Sequence, residues 1–138
     1  SVERISKLSN VISINGGVQL DLMGQENAES TGTRQLSGVG GQMDFLEGAY
    51  RSKGGKGFIC INSSRVTKDG ERKSNILATI PGGSTISAPR TMIQYVATEY
   101  GIASLSGKTL RERAEAMASI AHPDFREELM KYAQENFK

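Results

Sequence analysis

All 16 glycines of this 138-residue chain lie before Lys108. From Lys108 to Lys138 glycine is absent, and Ala, Glu, Arg and Lys dominate. Glycine weakens helix and strand interiors and serves turns. The first part therefore reads as short strands joined by tight turns, and the last part as two helices. The stretch "TLRERAEAMASIA" opens with Thr109 and Glu112, the S/T-x-x-E spacing of a capping box. Leu110, Ala114, Met117 and Ala121 then share one helical face. Pro123 follows His122 and takes the favoured first position of a second helix. Its apolar face is Phe125, Leu129, Tyr132 and Ala133.

The glycine-rich part divides at its turns. In "VISINGGVQLDLMG" two β-prone runs, Val11–Asn15 and Val18–Leu22, flank Gly16-Gly17, a two-residue hairpin signal. Val18, Leu20 and Leu22 alternate with polar residues, the period of a half-buried strand. "NAESTGTRQL" is turn-rich and polar and reads as a loop. Met43, Leu46 and Tyr50 recur at helical steps, so Gln42–Arg51 reads as a helix ended by Gly54-Gly55. The apolar run Gly57–Asn62 reads as a buried strand. "TKDGERKS" is a turn. Asn75–Gly83, Ser84–Ser87 and Gln94–Gly101 read as further strands. Strands with helices among and after them make an α/β fold: a mixed sheet with flanking helices, ending in two helices.

The length is that of one domain. No run approaches the ~18 apolar residues of a membrane span, and "SVERISKLSN" has no apolar signal-peptide core. The first residue is not Met, so the chain is expected to be a fragment or a processed product. A net charge of +2 gives little pull towards nucleic acid. Cys60 is the lone cysteine and His122 the lone histidine, too few for a disulfide or a zinc cluster. No metal is expected. The setting expected is reducing and cytoplasmic.

Chemistry concentrates at "SGVGGQMDF", Ser37 to Phe45. Gly38, Gly40 and Gly41 precede the expected helix. Bare backbone N–H groups at a helix N-terminus suit an anion: a phosphate, a carboxylate or a developing oxyanion. The pattern fits neither G-x-G-x-x-G nor the G-K-[ST] of a P-loop. A tight packing turn explains it equally. "RSKGGKGF" sets Arg51, Lys53 and Lys56 among glycines, either for a phosphate-bearing ligand or as a solvated basic loop. Glu99 ends a strand, where α/β folds place ligands; an ion pair is the structural alternative. Cys60 reads as a buried small hydrophobe, and His122 as a cap or interhelix contact. Ser63-Ser64 resemble no nucleophile elbow.

The stretches "SGVGGQMDFLEGAYRSKGGKGFI", "APRTMIQYVATEYGIASLSGK" and "LRERAEAMASIAHPDFREEL" together resemble the C-terminal domain of the acetyl-CoA hydrolase/transferase family. The nearest branch is the 4-hydroxybutyrate CoA-transferase group. The resemblance runs from about Val11 to Leu129, and "TEYGIA" with "IAHPDFR" is its most specific part. It implies a CoA-transferase type of α/β domain and a class I CoA-transferase activity. In that activity a glutamate attacks an acyl-CoA thioester, and CoA passes to a small carboxylic acid. Coenzyme A is then a substrate, and no permanent cofactor is implied. By the same resemblance Gly38, Gly40 and Gly41 form the oxyanion or carboxylate pocket. Asn15 lies near the CoA chain, Lys56 meets CoA phosphates, and Glu99 supports the site through an ion pair. The family's catalytic glutamate lies upstream of the segment that aligns. Glu26, Glu29 and Glu47 do not sit in an equivalent context. The chain is thus expected to be the second domain of a protein roughly three times as long, inactive alone, with the N-terminal domain as partner. Hydrolysis of acyl-CoA, CoA binding without turnover and self-association through an exposed apolar face are the alternatives. Neither nucleic acid nor membrane is expected as a partner.

Overall fold

The computed structural model describes residues 1–138. Helix α1 (Val2–Ser6) precedes β1 (Ile12–Gly16), β2 (Gln19–Asp21) and three two-residue strands, β3 (Glu26–Asn27), β4 (Ser30–Thr31) and β5 (Arg34–Gln35). Then come α2 (Gln42–Arg51), β6 (Lys56–Cys60), the hairpin β7 (Ser64–Val66) and β8 (Arg72–Ser74), and β9 (Ile76–Leu77). The chain finishes with β10 (Tyr95–Thr98), β11 (Gly101–Ser104), α3 (Leu110–Ser119) and α4 (Pro123–Asn136).

The main sheet has the order β1–β6–β10–β11. β1, β6 and β10 run parallel, and β11 pairs antiparallel with β10, so the sheet is mixed. Helix α2 is the crossover from β1 to β6, as a parallel pair requires. It packs on both strands, while α3 packs on β11 and α4 on α3. One face of the sheet therefore lies under helices, and Ile59, Val96 and Ala103 are buried there with Leu46 and Met117. The other face has no cover. Register sets Ile14, Phe58 and Tyr95 in a row across it, with Ile12 and Ile102 nearby. Phe58 and Tyr95 stack there with ring centroids 4.8 Å apart.

The helix signals translate directly. Thr109 accepts from the Glu112 amide and Glu112 reaches back to the Thr109 amide, closing the capping box. Pro123 begins α4, and His122 caps it by accepting from the Asp124 amide at 3.2 Å. Arg113 is buried on α3 and donates to the carbonyls of Met23, Leu105 and Arg90, tying three loops to the helix layer. Burial and the nearby Arg90 both lower its pKa.

Several expectations are overturned. Gly16-Gly17 is no hairpin. β1 takes a five-residue parallel register with β6, Ile12↔Lys56 to Gly16↔Cys60, while β2 joins β3 and β9 in a separate sheet. Gly17 serves close approach instead: a Cβ there would stand 2.7 Å from Glu26 Oε1 and 3.2 Å from Ile61 Cγ2. β2 is buried on both faces, not half-buried, with Gln19 and Asp21 inside beside Leu20. The polar segment from Asn27, expected as a loop, carries the short paired strands β4 and β5 and is exposed over most of Thr31–Leu36. Its first residues turn inward: Asn27 Oδ1 accepts from the Glu29 and Ser30 amides, and its Nδ2 donates to the Ser30 carbonyl, so the buried Asn27 amide is satisfied. Of Asn75–Gly83 only Ile76–Leu77 is strand, and Ser84–Ser87 forms none. That segment bonds to side chains instead: the Thr85 amide to Ser30 Oγ, and Ser87 Oγ to Glu29. Cys60 is exposed, not buried, because it shares the uncovered face with Phe58.

Candidate functional site

Parallel α/β sheets gather ligands at the C-terminal ends of their strands. Here those ends are Gly16-Gly17, Cys60 and Thr98. Gly17, Cys60, Ile61, Asn62, Ala97 and Thr98 line a cleft of about 460 Å³ at this edge. Helix α2 runs back from the same end. Its N-terminus reaches Glu26 through Gln42, and Glu26 lies against Gly17. At the opposite end, the Asn10 amide bonds to the Lys53 carbonyl beyond the end of α2.

The glycine turn enters α2 at this cleft-bearing end. Gly38, Gly40 and Gly41 are exposed. Gly40 has φ +61°, a left-handed conformation that bare backbone adopts without strain. A Cβ at Gly38 or Gly40 would meet nothing within 4 Å, so open space stands before the turn. Gly41 is the N-cap of α2 and offers no side chain to its first amides. Such amides are orphan donors, ready for a negatively charged group.

Asn15 lies near the C-terminal end of β1, opposite buried Ile59, on the face that α2 covers. Its Nδ2 donates to Ser13 Oγ at 2.8 Å. Glu99 follows β10 at the same end. It forms no ion pair, contrary to expectation: Oε1 accepts from the Ser63 amide at 2.7 Å. The bond to Ser63 is the chief cause holding its pKa below the ordinary carboxylate value. The amide of the chain segment leaving β6 thus does the work a cation was expected to do. Lys56 stands apart. It begins β6, four residues before Cys60, roughly 13 Å away by strand rise, and its side chain belongs to the uncovered face. The glycine turn, Asn15 and Glu99 thus lie towards one end of the sheet, none of them lining the cleft itself, and Lys56 lies at the other end.

Two groups at this end escaped the sequence. Glu26 is fully buried. Its Oε2 accepts from Gln42 Nε2, and its Oε1 has no hydrogen-bond partner. Burial pushes the carboxyl up to about 7; Gln42 opposes the rise and nearby Glu29 adds to it. Glu29 is also buried, and accepts from Ser87 Oγ at 2.6 Å and Gln35 Nε2 at 3.1 Å. Nothing local marks a glutamate inside a polar stretch as buried; its partner Gln42 is 16 residues away. No cluster of three His, Cys, Asp or Glu side chains is placed to hold a metal ion.

The sequence matches the acetyl-CoA hydrolase/transferase C-terminal domain over residues 1–133. The 4-hydroxybutyrate coenzyme A transferase of Clostridium kluyveri is 50% identical over 133 residues, 96% of this chain and 30% of the relative. The butyryl-CoA:acetate CoA-transferase of Anaerostipes caccae is 48% identical over 133 residues, with the same coverage of 96% and 30%. The crystal structure of 4-hydroxybutyrate CoA-transferase from Porphyromonas gingivalis superposes with a TM-score of 0.77 at 39% identity, covering 99% of this chain and 30% of that one. The chain spans about 30% of the length of these relatives. It belongs to the acetyl-CoA hydrolase/transferase family, as a C-terminal domain of that family.

Proposed function

We propose that this chain supplies the glycine-turn half of an acyl-CoA:carboxylate CoA-transferase site, of the 4-hydroxybutyrate/acetate type. The observation that carries it is the exposed turn Gly38–Gly41, leading into α2 at the C-terminal end of the sheet's parallel strands. A thioester carbonyl gains negative charge on its oxygen when a nucleophile adds. Amides of Gly38, Gly40 and Gly41 aimed at that oxygen lower the barrier, and the same donors hold the acceptor's carboxylate. A side chain on any of the three would intrude on the reacting groups. Asn15 sits close enough to this end to orient the CoA chain. Glu99, locked on the Ser63 amide, stays ionised and shapes the neighbouring wall. Lys56 meets a CoA phosphate only if the cofactor-sized substrate lies along the uncovered face.

The nucleophile is a glutamate supplied by the rest of a longer protein, the length that the relatives have and this chain does not span. Its carboxylate attacks the thioester and expels CoA thiolate, leaving an acyl-glutamyl anhydride. CoA thiolate returns to the glutamyl carbonyl and releases the acyl group as a carboxylate. The acceptor carboxylate then attacks the resulting glutamyl-CoA thioester and expels CoA thiolate, leaving a second anhydride. CoA thiolate attacks the acceptor's carbonyl of that anhydride, giving acceptor-CoA and freeing the glutamate carboxylate. Coenzyme A is a substrate throughout. If water resolves the glutamyl thioester instead, the same site performs hydrolysis. The chain alone is inactive on this account, and the part of its uncovered sheet face that CoA does not take packs against the remaining polypeptide.

Calorimetric titration with CoA and acetyl-CoA tests this, on the chain alone and mixed with a polypeptide spanning the remainder of a relative's length. Acyl transfer to acetate or butyrate only in the mixture is the expected result. Turnover by the chain alone overturns the supply of the nucleophile from elsewhere. No binding in either sample overturns the proposal.

A further inference from the structure

The Gly38–Gly41 turn has few contacts of its own. Within it, Ser37 Oγ donates to the Gly38 carbonyl, and Gly41 accepts the helical bond from Phe45. Its position must come from its two ends. On the entering side, the Leu36 and Ser37 amides both donate to the Glu29 carbonyl, at 2.6 and 3.2 Å. Gln35 Nε2 bridges Glu29 Oε1 and the Ser37 carbonyl. On the leaving side, the first residue of α2 is tied down by one side-chain bond, from Gln42 Nε2 to Glu26. Glu26 is itself immobile, because β3 pairs with β2 and bridges to Ala88.

Glu26 is a costly choice for that anchor. It is fully buried with one oxygen unpartnered, where an apolar side chain of similar volume would avoid the desolvation penalty. What the apolar residue would lack is the acceptor for Gln42. We propose that Glu26 is a positioning residue: through Gln42 it fixes the leaving end of the glycine turn and so sets where the amides of Gly38, Gly40 and Gly41 point. This rests on the carboxylate pocket proposed above. Glu29 holds the entering end, so the turn is a span between two buried glutamates three residues apart.

The test uses the full chain labelled with 15N, its fold monitored by circular dichroism. Glu26→Met keeps the volume and removes the acceptor. Gln42→Met removes the donor from a half-buried helix end. Glu26→Gln keeps an acceptor without the charge. Amide relaxation at Gly38, Gly40 and Gly41 reports the mobility of the turn, and acetate titration reports its grip on a carboxylate. Both Met variants are expected to loosen the three glycines and to weaken acetate roughly tenfold, the scale of one lost hydrogen bond. The double variant should be no worse than either single one, and Glu26→Gln should behave like the parent. Parent-like relaxation in folded Met variants overturns the proposal, as does a Glu26→Gln chain as loose as Glu26→Met. If Glu26→Met does not fold, Gln42→Met carries the same two outcomes. Looser glycines in a chain whose parent never responds to acetate uphold the positioning role and sink the carboxylate pocket. An acetate response equal in parent and Met variants does the reverse.

Discussion

The two faces of the main sheet are built from the same four strands and differ in almost everything else. Towards the helices, Ile59 and Val96 are 0% exposed. On the other side Ile12 is 63%, Ile14 69% and Ile102 62% exposed. Parallel strands are ordinarily covered on both faces, because crossover helices lie on each. Here α2, α3 and α4 all serve one side. The difference teaches that β-branched composition alone does not tell which side of a strand enters the core. Ile14 and Ile59 are equally apolar, and only the placement of the crossover separates them.

Truncation on each face is the strongest way to break that contrast. Ile59→Ala should cost roughly 3 kcal/mol in urea unfolding through lost burial and the cavity left behind. Ile14→Ala should stay within about 0.5 kcal/mol, the ordinary range of an exposed site. Equal losses would mean that the open face is covered in solution.

Burial away from the open face also reaches an ionisable group, and pH sharpens the comparison there. Glu26 has its carboxyl raised from 4.5 to about 7 in the folded chain. Between those values the folded state keeps a proton that the unfolded state has released, so stability falls as pH rises through the window. Above pH 7 the penalty is complete, about 3 kcal/mol at most. Glu26→Gln should therefore be more stable than the parent at pH 8 and nearly equal to it at pH 4, by chemical denaturation at both. A difference independent of pH would place the carboxyl in water.

The covering layer itself yields a smaller effect. Thr109→Ala opens the capping box of α3 and should lower stability by about 1 kcal/mol. The smallest effect is a reaction without a stability change. Cys60 on the open face should react with a thiol reagent in the native chain, while an Ile59→Cys, Cys60→Ser chain should react only on unfolding. Protection of Cys60 would argue for self-association through that face.

Legibility in the sequence followed distance along the chain. Helix α2 was bounded by its flanking glycines and its three- and four-residue apolar steps. Thr109, Glu112 and Pro123 announced α3 and α4, because a helix cap is written within four residues. The glycine turn was visible for the same reason. Partners far apart were not. Gly16-Gly17 resembled a hairpin because the competing partner of β1, Lys56–Cys60, lies some forty residues on. Glu26 in a polar stretch gave no sign of burial, which β2, Ala88 and Gln42 bring about together. Glu99 at the end of a strand suggests a cation as its partner, whereas the structure gives it the Ser63 amide, and a backbone amide leaves no mark in a sequence.

The stacked pair Phe58 and Tyr95 has an optical consequence. The chain has no tryptophan and four tyrosines, so tyrosine emission is unmasked. Tyr95 sits at the middle of the open sheet face, partly exposed beside Phe58. Whatever is laid over that face changes the surroundings of this ring before those of the buried core. The molecule thus carries its own fluorescent gauge of coverage, readable without a label, and a Tyr95→Phe chain supplies the blank.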